Sequence, residues 1–219
     1  MPAAPDDFQA LWRERLASGS KLSAKALAQA LKEDTSRLAK VAPLLHDTLS
    51  TVRVSAIRAF EEIAALKPHA VAPYAQQVVE ALAAPEPDAQ ASALGALGHI
   101  AHHARAEAAL ALPLISDLLE RAKRPALREE AARCLGKIGA EMPESASAAA
   151  QRLAKALAHA KSPRASQEVR EILAALEGLL PHLSLDARAS LGPAVAPMRA
   201  HPNIQVRERA GRLARALSP

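Results

Sequence analysis

The sequence has one cysteine in 219 residues, which rules out an intramolecular disulfide framework and gives no reason to expect an oxidising compartment. Aromatic residues make up 2% of the chain and are confined to Phe8, Trp12, Phe60 and Tyr74. Strands favour β-branched and aromatic residues, so this composition suits them poorly. No apolar run approaches the roughly 18 residues that a membrane-crossing helix needs. Met1 to Asp7 is not a basic segment followed by an apolar stretch, so no secretory signal is expected. There is no GxxxxGK[ST] phosphate loop, no GxSxG nucleophile elbow and no HExxH zinc motif. Together these absences predict a cytoplasmic protein with no membrane segment, cofactor, metal or catalytic residues.

Half of the residues are hydrophobic, and alanine alone is roughly a quarter of the chain. Alanine has the best intrinsic helix propensity and lets helix backbones approach closely. The apolar residues recur in one pattern: a start, then plus four, plus eight and plus eleven. It reads Val52, Ala56, Phe60, Ile63; Ala89, Ala93, Leu97, Ile100; Leu127, Ala131, Leu135, Ile138; Ala165, Val169, Leu173, Leu176; and Val206, Ala210, Ala214, Leu217. The copies follow one another at about 40 residues, the period of a stacked helix-pair array. Each copy marks the second helix of a pair.

The first helices and turns fall between the copies. Thr35 to His46, Val71 to Ala84, Glu107 to Lys123, Ser145 to Ala160 and Ser184 to Ala200 read as first helices. The turns use Asp47 to Ser50, Pro85-Glu86-Pro87, Lys161-Ser162-Pro163 and His201-Pro202-Asn203, with Pro125 opening a helix and Asp88 expected as an N-cap. Pro43, Pro113 and Pro193 fall inside first helices, where a kink is expected. Ahead of the repeats, Asp6 to Ala17 reads as an amphipathic helix with Phe8, Leu11, Trp12 and Leu16 on one side. Ser18-Gly19-Ser20 breaks it, and Ser23 is the expected N-cap of a helix running through Lys32 with Leu27 and Leu31. This pair is expected to cap the array. The predicted architecture is all-α: a right-handed α-α superhelix of about five helix pairs, with a cap over 1–33 and units near 34–70, 71–106, 107–143, 144–182 and 183–219.

Val52-Arg53 with Ala56, Val206-Arg207 with Ala210, and the close variant Leu127-Arg128 with Ala131 resemble the second-helix opening of the HEAT repeat family. That family often carries proline in the first helix and aspartate in the turn, as at Asp47. The resemblance covers about residues 34–219. It implies structural pairing that involves Asp47, Arg53, Arg128 and Arg207, with the turn aspartate and the arginine six residues later joining neighbouring repeats. Two units depart from it, with Ala89-Gln90 and Ala165-Ser166, and the places matching Asp47 hold Ala84, Ala122, Ala160 and His201. An incomplete ladder is therefore expected, with stacking carried mostly by apolar burial.

The resemblance also implies that second helices line a concave surface. At plus six from each start stand Arg58, Gly95, Arg133, Glu171 and Arg212, and His99, Lys137, Arg209 and Arg215 lie on similar faces. With a net charge of +5 and a pI near 9.7, a groove lined by Arg58, His99, Arg133, Lys137, Arg209, Arg212 and Arg215 would attract an anionic partner. Glu61, Glu62, Glu129, Glu130 and Glu208 offset much of this charge, so ordinary solvated faces fit the same residues. The C-terminal arginines also suit the negative end of a helix dipole. His99, His102 and His103 share a helical face but have no third metal ligand beside them. Cys134, next to Leu135, reads as a small buried residue. HEAT-like DNA glycosylases need aromatic stacking partners around a catalytic aspartate, and the C-terminal second helices have none; bilin lyases with related repeats leave no signature. The expected function is a non-catalytic scaffold that holds an acidic protein surface or helix, with sequence-independent nucleic-acid binding as the alternative.

Overall fold

The computed structural model describes residues 8–18, 21–160 and 165–217, without the side chains at 21 and 22. The expectations placed on Met1 to Asp7, Gly19-Ser20 and Lys161-Ser162-Pro163 lie outside the described residues. The chain divides into two compact units, Met1–Glu107 and Ala108–Pro219.

The first unit opens with α1 (Phe8–Ala17) and α2 (Lys21–Glu33). Phe8, Trp12 and Leu16 of α1 are buried, but Leu11 is 46% exposed and leaves the apolar side expected of it. One residue ahead of Trp12, its Cβ points about 100° round the helix, beyond the narrow stripe. α2 begins before Ser23, which therefore lies inside the helix and is not its N-cap. Leu27 and Leu31 are fully buried as the pattern requires.

The first helices of this unit are mosaics. A 3₁₀ turn (Thr35–Arg37), α3 (Leu38–Val41) and a second 3₁₀ segment (Ala42–His46) precede α4 (Ser50–Leu66). Likewise α5 (Pro68–Val71), a 3₁₀ turn (Ala72–Tyr74), α6 (Ala75–Glu80) and another (Ala81–Ala83) precede α7 (Pro87–Ile100). Val-Ala-Pro occurs at both breaks, 41–43 and 71–73. The valine is fully buried and the proline enters at the start of the 3₁₀ segment, where its missing N–H costs least. Pro87 takes the first position of α7, so Asp88 sits inside the first turn and is not the N-cap; that place falls to Glu86.

The second unit contains α8 (Arg105–Arg121, its first three residues on the near side of the division), α9 (Pro125–Glu141), α10 (Pro143–His159) and α11 (Ser166–Leu179). A 3₁₀ turn (Leu180–His182), α12 (Leu185–Val195), a 3₁₀ segment (Ala196–Ala200) and α13 (Ile204–Leu217) complete it. Val-Ala-Pro recurs at 195–197, and the break falls there. Pro113 and Pro193, where kinks are expected from sequence, lie within α8 and α12, which continue as α-helix on both sides of them. Ser184 caps α12 through its hydroxyl, which accepts from the Ala187 N–H at 3.2 Å.

All twelve signature positions on α4, α7 and α9 are buried. In the fourth copy Ala165 is half-buried; in the fifth, Ala214 and Leu217 are half-buried, and Leu213 is buried. Second helices stack on one another, α4 on α7 in the first unit and α9 on α11 in the second. The α9–α11 contact is tight: a Cβ at Gly136 would lie 2.8 Å from Ala175 Cβ and 3.1 Å from its Cα.

Arginines tie successive pairs. The Arg53 guanidinium is paired with Glu86, and its Nη1 donates to the carbonyls of Asp47 at 2.5 Å and Thr48 at 3.0 Å. Arg128 donates to Glu168 at 2.8 Å and to the Ala122 carbonyl at 2.6 Å. Arg207 reaches the carbonyls of His201 and Pro202, both at 2.8 Å. The carboxylate of Asp47 is taken instead by Arg13, at 2.5 Å. The side-chain pair expected between Asp47 and Arg53 is thus replaced by a main-chain bond, because a turn leaves carbonyls that need donors whatever residue carries them. Burial pushes the Asp47 carboxyl up, but Arg13 and the Leu49 N–H outweigh it and hold it below the ordinary aspartate value. His201 stands in the corresponding place, its Nδ1 accepting from the Asn203 N–H at 3.1 Å as Asp47 Oδ1 accepts from Leu49 at 2.9 Å.

Three tests arise from this packing. Gly178 has open space where a Cβ would stand. Gly178→Ala should therefore raise stability by about 0.5–1 kcal/mol, whereas Gly136→Ala should lower it by about 1–2 kcal/mol, both read by urea unfolding. Arg128→Met leaves Glu168, 8% exposed, without its guanidinium and should cost about 2 kcal/mol, with about half recovered in Arg128→Met/Glu168→Leu. Asp47 has a lowered folded-state pKa, so its stabilising contribution is complete above about pH 4 and is lost as pH falls through that lowered value. Asp47→Asn should flatten the acid limb of the unfolding curve over that window.

Candidate functional site

The seven residues expected to line one basic groove are divided between the units. Arg58 and His99 belong to the first. Arg58, on α4, donates to Asp88 at 3.0 Å, across to the start of α7. His99 is half-buried on α7. Gly95, four residues before it, is buried against the Glu61 side chain and presents no surface.

In the second unit, Arg133, Lys137, Arg209, Arg212 and Arg215 flank an acidic row that the sequence reading underweights. Arg133 on α9 is paired with Glu130 and lies 3.4 Å from Glu171 on α11. From the other side, Arg209 on α13 lies 3.2 Å from Glu177 and donates to the Arg170 carbonyl at 3.1 Å. Arg212 approaches Glu177 at 3.7 Å, while Arg215 is exposed. The result is three rows: basic on α9, acidic on α11 and basic on α13. The reason is helix spacing. Stacked helices lie about 8–10 Å apart, within reach of an extended arginine. Position within each repeat was legible, but the neighbour a long side chain meets depends on that spacing.

Burial pushes the Glu130 carboxyl above its usual range, with Glu171 and Glu129 adding to the rise and Arg133 and Lys137 opposing it. Arg133 is about half-exposed at 44% of its side chain, so its guanidinium remains accessible despite two carboxylate neighbours. Beside it a shallow groove of about 280 Å³ runs between α9 and α11. Its floor is Gly136, Ala140, Ala174, Ala175 and Gly178, and its rim is Arg133, Lys137 and Glu171. Small side chains and the open space at Gly178 create this depression. It can take an apolar side chain while the rim meets charge.

Elsewhere, the imidazoles of His69, His102 and His103 meet edge to face, with centroids 6.4 Å apart for His69–His103 and 5.4 Å for His102–His103. Among the described residues no group of three or more histidines, cysteines or carboxylates is placed to hold a metal. Cys134 is buried within α9. No helix among the described residues is long and apolar enough to cross a membrane.

No family model matches the chain, and no curated protein matches it in sequence. Solved structures do match in fold. One is a designed armadillo repeat protein, 20% identical, with a TM-score of 0.70 over 98% of this chain and 96% of that one. An engineered protein matches at 20% identity and TM-score 0.69, covering 99% and 92%. A further designed armadillo repeat protein, in complex with the peptide (KR)4, matches at 20% identity and TM-score 0.67, covering 98% and 95%. At such identity the likeness speaks for fold alone. The chain has an all-α helical-repeat fold.

Proposed function

We propose that this chain is a HEAT-like, non-catalytic scaffold, with a cap over 1–33 and five repeat units over 34–219, that holds an acidic segment of a protein partner on its second helices. The observation that carries this reading is the groove between α9 and α11, with an apolar floor and Arg133 and Lys137 on its rim. Repeat folds commonly bind extended or helical segments along such faces. A structurally similar designed protein is in complex with a basic peptide, (KR)4. The present chain has the opposite demand, since its net charge is +5. With few aromatics, arginine is the residue left to anchor an interface. Arg58, His99, Arg209, Arg212 and Arg215 extend the same reading to the other second helices.

The rows of alternating charge give this surface selectivity. A uniformly anionic polymer gains from Arg133 and Lys137 but is repelled by Glu171 and Glu177. A protein segment with spaced acids and an intervening apolar side chain meets both rows without that penalty.

The test uses a labelled peptide of alternating glutamate and leucine, followed by fluorescence anisotropy. Arg133→Glu/Lys137→Glu should weaken binding at least about tenfold, or about 1.4 kcal/mol, with helicity unchanged. Gly178→Leu, which fills the groove, should weaken it similarly. Unchanged binding in both variants would sink the proposal. Preferential binding of random duplex DNA, lost steeply with salt, would replace it with nucleic-acid recognition.

A further inference from the structure

Arg53 and Arg128 each make two kinds of bond. They hold turn carbonyls of their own helix pair, and they reach a carboxylate one pair further on, Glu86 and Glu168. Arg207 occupies the same place on α13, one residue after the signature start. Its Nη1 holds the His201 and Pro202 carbonyls, but no carboxylate among the described residues pairs with its remaining N–H groups.

Next to it lies an open groove of about 430 Å³, bordered by Arg207, Glu208, Gly211, Arg212 and Arg215. At the place of Gly211, α4, α7 and α9 carry the buried Ile57, Leu94 and Ala132, and α11 carries the half-buried Arg170. Gly211 is half-buried, and a Cβ there would meet only Arg215 Nη1, at 3.8 Å. Arg215 has no ion pair among the described residues, and the Arg212 contact to Glu177 is long at 3.7 Å. Glu208 offsets one of the three guanidinium charges. Among the described residues this face therefore carries positive charge left uncompensated, unlike the paired arginines of α4 and α9.

We propose that this face of α13 docks an acidic helical segment of a protein partner, seated as α7 is seated on α4, with a glutamate at the segment's N-terminal end taking the open side of Arg207. The Arg53–Glu86 and Arg128–Glu168 pairs supply the geometry: a planar guanidinium fork meeting a carboxylate at the start of a helix. Glu86 immediately precedes α7, and Glu168 lies in the first turn of α11. The carboxylate also gains from the positive end of its own helix dipole. Recognition of a base would call for stacking partners, and α13 has no aromatic residue. This surface is separate from the α9–α11 groove; it rests on the scaffold reading only through Arg212 and Arg215, and the Arg133 and Lys137 variants below tell the two apart.

A synthetic peptide with the sequence of residues 85–104 is the probe, because its Glu86 is a natural acceptor of this kind. Titrated against the full chain by anisotropy, it should bind, and its Glu86→Gln version should bind at least about tenfold more weakly. Arg207→Gln should weaken the parent peptide by a similar factor and the Glu86→Gln peptide hardly at all, the non-additivity of a direct pair. Because Arg207 also holds a turn, Arg215→Gln provides a second variant that touches no carbonyl, expected to weaken binding several-fold. Arg133→Glu/Lys137→Glu should leave this binding unchanged. Absence of saturable binding, or binding indifferent to Glu86, Arg207 and Arg215, overturns the proposal. So does loss through the Arg133/Lys137 pair, which places the peptide in the other groove, or displacement by random duplex DNA with steep salt dependence.

Discussion

Close approach of second helices is the constraint on which the other features depend. Ala56, Ala93, Ala131 and Ala210 occupy the same turn of four such helices and are fully buried. A larger residue there would push neighbours apart. Apolar burial drives the stacking, while the short side chains fix the distance at which it stops. At that distance an arginine on one helix reaches a carboxylate on the next, as Arg58 reaches Asp88 and Arg133 reaches Glu171. The ion pairs are thus consequences of packing. Being half-exposed, they contribute little to stability individually and more to registration of one helix against the next.

The second helices were the most legible part of the sequence. Their burial depends on a helical period alone, and α4, α7 and α9 follow it at every signature position. The first helices were less legible, because Val-Ala-Pro at 41–43, 71–73 and 195–197 substitutes tighter 3₁₀ turns for a continuous rod. A proline in the sequence announces a lost N–H without saying whether the helix breaks or bends around it. Pro43 and Pro193 both fall inside expected first helices, yet only the former, within Val-Ala-Pro, stands at a break.

Ser23 and Asp88 failed as caps for a related reason: a capping residue is recognised by type, whereas its role is set by where the backbone leaves the helix. The candidate site was legible as a set of arginines and a lysine. Glu171 falls on that face at plus six, but its pairing with Arg133 and the part played by Glu177 were not legible, since they exist only once three helices stand side by side. The floor at Gly136 and Gly178 was equally hidden. One of these glycines is packed against Ala175 and the other faces open space.

The arginines at 53, 128 and 207 bind the carbonyls of Asp47, Ala122 and His201, three residues with no shared side-chain chemistry. Every amino acid supplies that carbonyl. Mutation at these three places can therefore change the visible sequence while leaving the fastening in place. Comparison of sequences scores side chains, so a joint made on the main chain leaves no mark in the score. A repeat can in this way be held as geometry where likeness of sequence is slight.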